Sequence, residues 1–180
     1  MDNLLKIKSF SKYFYLLLSF FLVMMPLYYI FYWAFINYLP ETLINVNIHP
    51  TPLSPNELSV KLQLIGFITS LIPLSALIYV ILNIRKLFSF YKEGQIFSFE
   101  HVRLFKKIAN ALISWVVLSI FYESAKSVIF SAGNPPGSRV ISVGFSTAEI
   151  TTLLVGGIVF IIAWVMDEGR ILNEENKLTV

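Results

Sequence analysis

The sequence predicts an all-α membrane protein: a four-helix transmembrane bundle with both termini cytoplasmic, a small extracytoplasmic β-element and helical cytoplasmic extensions. Three observations predict it. The composition is 56% hydrophobic and 16% aromatic, with 14% charged residues and a mean hydropathy of +0.70, whereas soluble domains carry about 25% charged residues. The apolar residues gather into four runs, about 13–39, 65–84, 108–130 and 147–166, near or above the ~20 residues that cross a hydrocarbon core. Lysine and arginine are unevenly placed. The N-terminal segment, the hairpin 85–107 and the tail 167–180 hold eleven of them, while the outer loops 40–64 and 131–146 hold only Lys61 and Arg139. Cytoplasmic loops carry the excess of basic residues, so both termini fall inside. The net charge of +3 resides in those loops and is not read as a nucleic-acid signal. There is no cysteine, which excludes disulfides and thiolate metal sites.

The first span is uncharged from Tyr13 to Leu39. That is roughly twice a signal peptide's apolar region, and no A-x-A-like site follows, so it reads as a span. Pro26 kinks it, and Tyr28, Tyr29, Tyr32, Trp33 and Tyr38 form an aromatic belt at its outer end. In the loop that follows, Leu43–His49 and Leu58–Leu64 alternate apolar and polar residues, the pattern of half-buried strands. Pro50, Pro52 and Pro55 turn the chain between them. Ser54-Pro55-Asn56-Glu57 is also a capping box with proline at the first helical position; strand is preferred here over an early helix. The second span carries Gly66, Ser70 and Pro73. After the third, Pro135-Pro136-Gly137 breaks the helix, and Arg139–Phe145 alternates as a third strand. Ser146-Thr147-Ala148-Glu149 is a capping box that starts the fourth helix.

The hairpin holds a helix stop and start. Gly94 is free to take the left-handed conformation. Ser98 N-caps the next helix, with Glu100 in its first turn. Its basic residues Arg85, Lys86, Lys92, Arg103, Lys106 and Lys107 read first as a positive-inside signal and a solvated face. The sharper reading is a surface for anionic lipid or an acidic protein. The fourth helix should continue into the tail, which places Glu168, Glu174 and Glu175 opposite Arg85, Lys86, Arg103, Lys106 or Lys107. Exposed ion pairs are worth only about 0–1 kcal/mol. Ile171 and Leu172 are therefore expected to bury against Phe88, Tyr91 or Phe105.

Within the spans, Glu123 and Lys126 share one helix face and can pair. With Arg139 and Glu149 they make a polar cluster, read as structural, with a gate or ligand contact as the rival. Gly144, Ala148, Thr152 and Gly156 recur every four residues, a small-residue stripe for close helix packing. It serves the intramolecular bundle or, alternatively, a homodimer seam. His49 and His101 fall on opposite sides of the membrane, and no metalloprotease, nucleophile-elbow or phosphate-loop motif is present. No enzyme and no cofactor are expected. The expected partners are the lipid bilayer, a soluble cytoplasmic protein and further copies of the chain, with no direct nucleic-acid contact. Two function classes follow: a regulatory, sensory or accessory membrane protein, or a small transporter or channel component with Glu123 and Lys126 on the path.

Three stretches carry a resemblance: LFSFYKEGQIFSFEHVRLF (Leu87–Phe105), NPPGSRVISVGFS (Asn134–Ser146) and IIAWVMDEGRILNEENKLTV (Ile161–Val180). From about Ser54 to Val180 the chain resembles a bacterial four-span membrane family, domain of unknown function 2975. His101 stands where that family's pattern has asparagine, and the Tyr-rich first span lies outside the resemblance. Such proteins are often encoded beside small Cro/CI-type helix-turn-helix regulators. The resemblance therefore implies the bacterial inner membrane, and a regulatory or accessory role with such a regulator as one soluble partner.

Overall fold

A computed structural model describes residues 2–40, 57–95 and 98–178. Four helices make up most of them: α1 Asp2–Ala34, α2 Val60–Glu93, α3 Phe99–Ser131 and α4 Thr147–Leu178. A 3-10 turn, Ile36–Tyr38, follows α1. All four are long and apolar enough to cross a membrane. The chain is a multi-pass helical membrane protein.

Each helix packs on its neighbour in sequence, α1 on α2, α2 on α3 and α3 on α4. The pairs are antiparallel. Phe14 of α1 stacks on Phe88 of α2 at one end, and Trp33 meets Gly66 at the other. Lys106 of α3 bonds Asp167 of α4, while Ser119 reaches Glu149 a few turns away. The helices run 32 to 34 residues, and a crossing takes about 20. The surplus lies before Tyr13, after Ile84, before Ile108 and after Met166, which is one and the same end of the molecule. We call it the hairpin end, and the opposite one the loop end.

Two apolar clusters hold the stack. At the loop end, Trp33, Ile36, Leu58, Tyr122, Ile129 and Phe130 join α1, α2 and α3. Toward the hairpin end, Val80, Leu87, Leu104, Ile108 and Ala111 join α2 to α3, with Val159 of α4 against them. The aromatic belt divides between these roles. Tyr28 and Tyr38 face outward, as expected, but Trp33 is 1% exposed. Its ring fills the notch left by Gly66, where a Cβ would lie 2.1 Å from Trp33 Cζ3.

The hairpin turn is built as its residues dictate. Gly94 has φ 85° and ψ 13°; its N–H donates to the Tyr91 carbonyl, and that of Gln95 to Phe90, the Schellman pairing. Ser98 holds the N-cap position, but its hydroxyl meets His101 Nδ1 at 2.6 Å and makes no cap bond.

The β-element is corrected. No strand occurs among the described residues, and Leu43–His49 lies outside them. Leu58–Leu64 enters a helix that starts at Val60. Leu58 and Leu62, four apart, turn inward against the Trp33 cluster, while Val60 and Leu64 face outward. An outward leucine needs no excuse in lipid, so alternation there cannot separate strand from helix. Asn37 clamps this start: its Nδ2 donates to the Leu58 carbonyl and its Oδ1 accepts from the Leu58 N–H, at 3.0 and 2.9 Å. Arg139–Phe145 forms no strand with any of the described residues; it bonds to serines one turn apart on α3. The Val140 N–H donates to Ser131 Oγ at 3.2 Å, and the Ser142 N–H to Ser127 Oγ at 2.9 Å.

Candidate functional site

The ionisable side chains within the spans come from the loop-end third of α3. Lys126 Nζ donates to Glu123 Oε1 at 2.9 Å, with the lysine side chain 7% accessible and the glutamate 22%. The ammonium also lies 5.7 Å from the Tyr122 ring centroid. Tyr122 belongs to the buried cluster that also holds Trp33 of α1, so the pair lies beside the contact between α3 and the aromatic end of α1. The pair itself is a closed contact, in which each charge is answered by the other before any ligand arrives.

The four-membered cluster expected from the sequence does not assemble. Glu149 is buried, but its carboxylate accepts from the Ser146 N–H at 2.8 Å, from the Ser146 hydroxyl and from Ser119 Oγ at 3.4 Å. Ser146 Oγ in turn accepts from the Ala148 N–H. Glu149 is therefore the reciprocal half of a capping box that also ties α4 to α3. Arg139 is exposed and joins neither group. The reason is local: a carboxylate at the third helical position finds its own cap sooner than a distant cation.

The small-residue stripe is realised in part. Gly156 is buried, where an added Cβ would find Ile113, Leu112 and the Ala109 carbonyl at ordinary contact, 3.5–3.7 Å, and Thr152 is half-buried and bonds back to the Ala148 carbonyl. Ala148 is exposed, and Gly144 precedes the helix. The seam runs instead through Glu149, Gly156, Ala163 and Asp167, spaced by seven or four. A strict four-residue step from Gly144 reaches only Gly156 among these and misses Ala163, which has no exposed surface.

At the hairpin end most of the six basic residues are occupied within the chain. Arg85 Nη2 donates to the Tyr15 hydroxyl at 2.7 Å, with the guanidinium 4.5 Å from that ring and Lys92 4.1 Å from it. Arg103 sits 3.9 Å from Glu100, and Lys106 3.1 Å from Asp167. Lys86 is exposed, 6.0 Å from the Phe90 ring. Lys107 lines a groove between α2 and α3. The hydrogen bond from Lys106, reinforced by Arg170, holds the Asp167 carboxyl below its usual range. The tail helix continues to Leu178 as expected, but what anchors it differs. Ile171 and Leu172 are 39% and 52% exposed, and the ties are Asp167 and Arg170, whose guanidinium lies 5.5 Å from the Phe99 ring. Glu168 is exposed, and the Glu174 and Glu175 side chains lie outside the described ones.

Three positions were not singled out by sequence reasoning: Tyr15, Asn37 and Asp167. Asp167 was legible as the first acid after the fourth span. Tyr15 had no signal beyond its helical step to the buried Ser11. His101, considered in the sequence only as a distant counterpart of His49, has no exposed surface. It lies 5.2 Å from the Tyr91 ring at 20° and 5.3 Å from Phe90. Burial pushes its imidazole below the ordinary pKa.

The model of the family described as "Protein of unknown function (DUF2975)" matches residues 48–180. The chain belongs to this family. No curated protein and no solved structure matches it. The DUF2975 match takes in α2, α3 and α4, with the hairpin, the ion pair and the Glu149 cap. It leaves out α1, which supplies Trp33 and Tyr15.

Proposed function

We propose that the chain is a regulatory or accessory protein of the bacterial inner membrane. Both termini are cytoplasmic, and the hairpin end holds a soluble protein. One observation carries this reading. The helical surplus of all four helices is stacked beyond the spans at that end, where Phe99, Ile171 and Leu172 stay exposed among charged residues such as Arg103. An apolar set outside the hydrocarbon region, rimmed by polar residues, marks a contact surface. Orientation rests on the same end holding eleven of the basic residues. No catalytic step is part of the reading. A transport role needs a wet path at Glu123 and Lys126, whereas the Lys126 ammonium is enclosed against its carboxylate.

The absence of cysteine makes the test clean, since an introduced thiol reports alone. Gln95→Cys should be labelled by an impermeant maleimide in inverted vesicles and not in intact cells. A photo-crosslinker replacing Phe99 or Leu172 should then capture one discrete soluble protein in native membranes. Labelling of Gln95→Cys from outside, or crosslinks to lipid alone, would remove this reading.

A further inference from the structure

In the two central spans the serine, threonine and asparagine side chains are hydrogen-bonded within the chain, from Thr69 and Ser70 to Ser124 and Ser127. Asn110 and Ser114 of α3 break the pattern: both are exposed, and neither has a side-chain partner among the described residues. They line an open groove of about 390 Å³ between α2 and α3, together with Tyr79, Ser75 and Lys107. Tyr79 is 46% exposed, and its hydroxyl is likewise unpartnered. Polar groups facing hydrocarbon cost free energy unless something answers them. An occupant of the groove with hydrogen-bonding groups of its own would answer them.

Lys107 identifies its chemistry. Arg85, Lys92, Arg103 and Lys106 each have an ion-pair or aromatic partner. Lys107 has no carboxylate or ring partner among the described side chains, and it stands where the third span meets the hairpin end. The groove therefore begins at headgroup level with a cation and continues inward with neutral donors. Asn110 lies one turn deeper, about 4.5 Å, and Ser114 about 10 Å deeper. Tyr79 approaches from α2. We infer that this groove binds an anionic glycerophospholipid, with its phosphodiester on the Lys107 ammonium and its ester carbonyls on Asn110, Tyr79 and Ser114. A second copy of the chain fits less well: a two-fold contact sets the groove against itself and brings two Lys107 ammonium groups together.

Native mass spectrometry of the full-length chain tests this, with phosphatidylglycerol titrated against phosphatidylcholine of the same acyl chains. The wild-type protein should retain phosphatidylglycerol at concentrations where phosphatidylcholine is lost. Lys107→Gln should weaken that retention about fivefold, the worth of one cation near an anionic surface. Lys107→Arg should keep it, and Lys86→Gln, at an exposed position outside the groove, should leave it unchanged. Equal retention of both lipids, or undiminished phosphatidylglycerol binding in Lys107→Gln, would overturn the assignment. So would a dimer that Asn110→Ala abolishes, which gives the groove to a second copy. Binding of a protein partner at the hairpin end is read separately and leaves these outcomes untouched.

Discussion

Single residues decide where the helices touch. Gly66 is required because the Trp33 ring occupies the space of its missing side chain. Gly66→Ala should lower stability by about 1–3 kcal/mol, the usual cost of overpacking. Trp33→Leu in the same chain should recover part of it, read from unfolding midpoints in mixed micelles. An unchanged midpoint in Gly66→Ala would mean that the ring moves aside freely. Glu123 and Lys126 set a different kind of limit. Removing one partner strands a charge within the membrane, so Lys126→Met or Glu123→Gln alone should each cost about 3 kcal/mol, the low end for a buried pair since Glu123 keeps some access. The double variant should be close to neutral. A double variant that loses the sum of the two single losses would show that the residues act independently.

At the level of elements, the α2–α3 hairpin has its own pH dependence. His101 is buried between Phe90, Tyr91 and Ser98, and that burial holds its folded pKa below the ordinary 6.5. The unfolded hairpin therefore binds the proton first, and stability falls as pH drops below that value toward the folded pKa. Amide protection across Phe90–Leu104, taken relative to the intrinsic exchange rate at each pH, should fall on acidification from pH 7 to 5 in the wild type. It should lose that dependence in His101→Asn; a dependence that survives the substitution belongs to another group. The extended segment before α4 hangs on α3 by serine hydroxyls. Ser127→Ala should deprotect the Ser142 amide, while Ser127→Thr, which restores a hydroxyl, should protect it. Equal exchange in all three chains would mean that this bond does not hold the segment.

For the whole molecule, the four long apolar helices were legible because length and hydropathy are what a bilayer selects for. The inward faces were much less so. In water an apolar stripe marks the buried side of a helix, but lipid makes the outer side apolar as well. The α4 seam through Glu149, Gly156, Ala163 and Asp167 is small and polar, and it stands out only once the bulky outward residues are discounted. The same ambiguity turned Leu58–Leu64 into an expected strand, and at the tail it placed Ile171 and Leu172 inside when they lie outside. Leu172→Asp should accordingly leave the protease resistance of the tail unchanged while reducing capture of a soluble partner. Release of the tail by that substitution would restore the packing first expected from the sequence.

Helix α1 is fastened to α2 near both of its ends. At one, the Lys8 stem crosses Gly94 so closely that a Cβ there would lie 2.5 Å from Lys8 Cε, and Tyr15 is held by Arg85 and Lys92. At the other, Trp33 sits in the Gly66 notch. From Lys8 to Trp33 the chain is one unbroken helix through Pro26, about 37 Å long at about 1.5 Å per residue. Such a rod cannot slide or turn at one anchorage without straining the other. A displacement that lifts Trp33 from its notch at the loop end is therefore opposed by the fastening of the same helix beside the Gly94 turn, at the far end of the span.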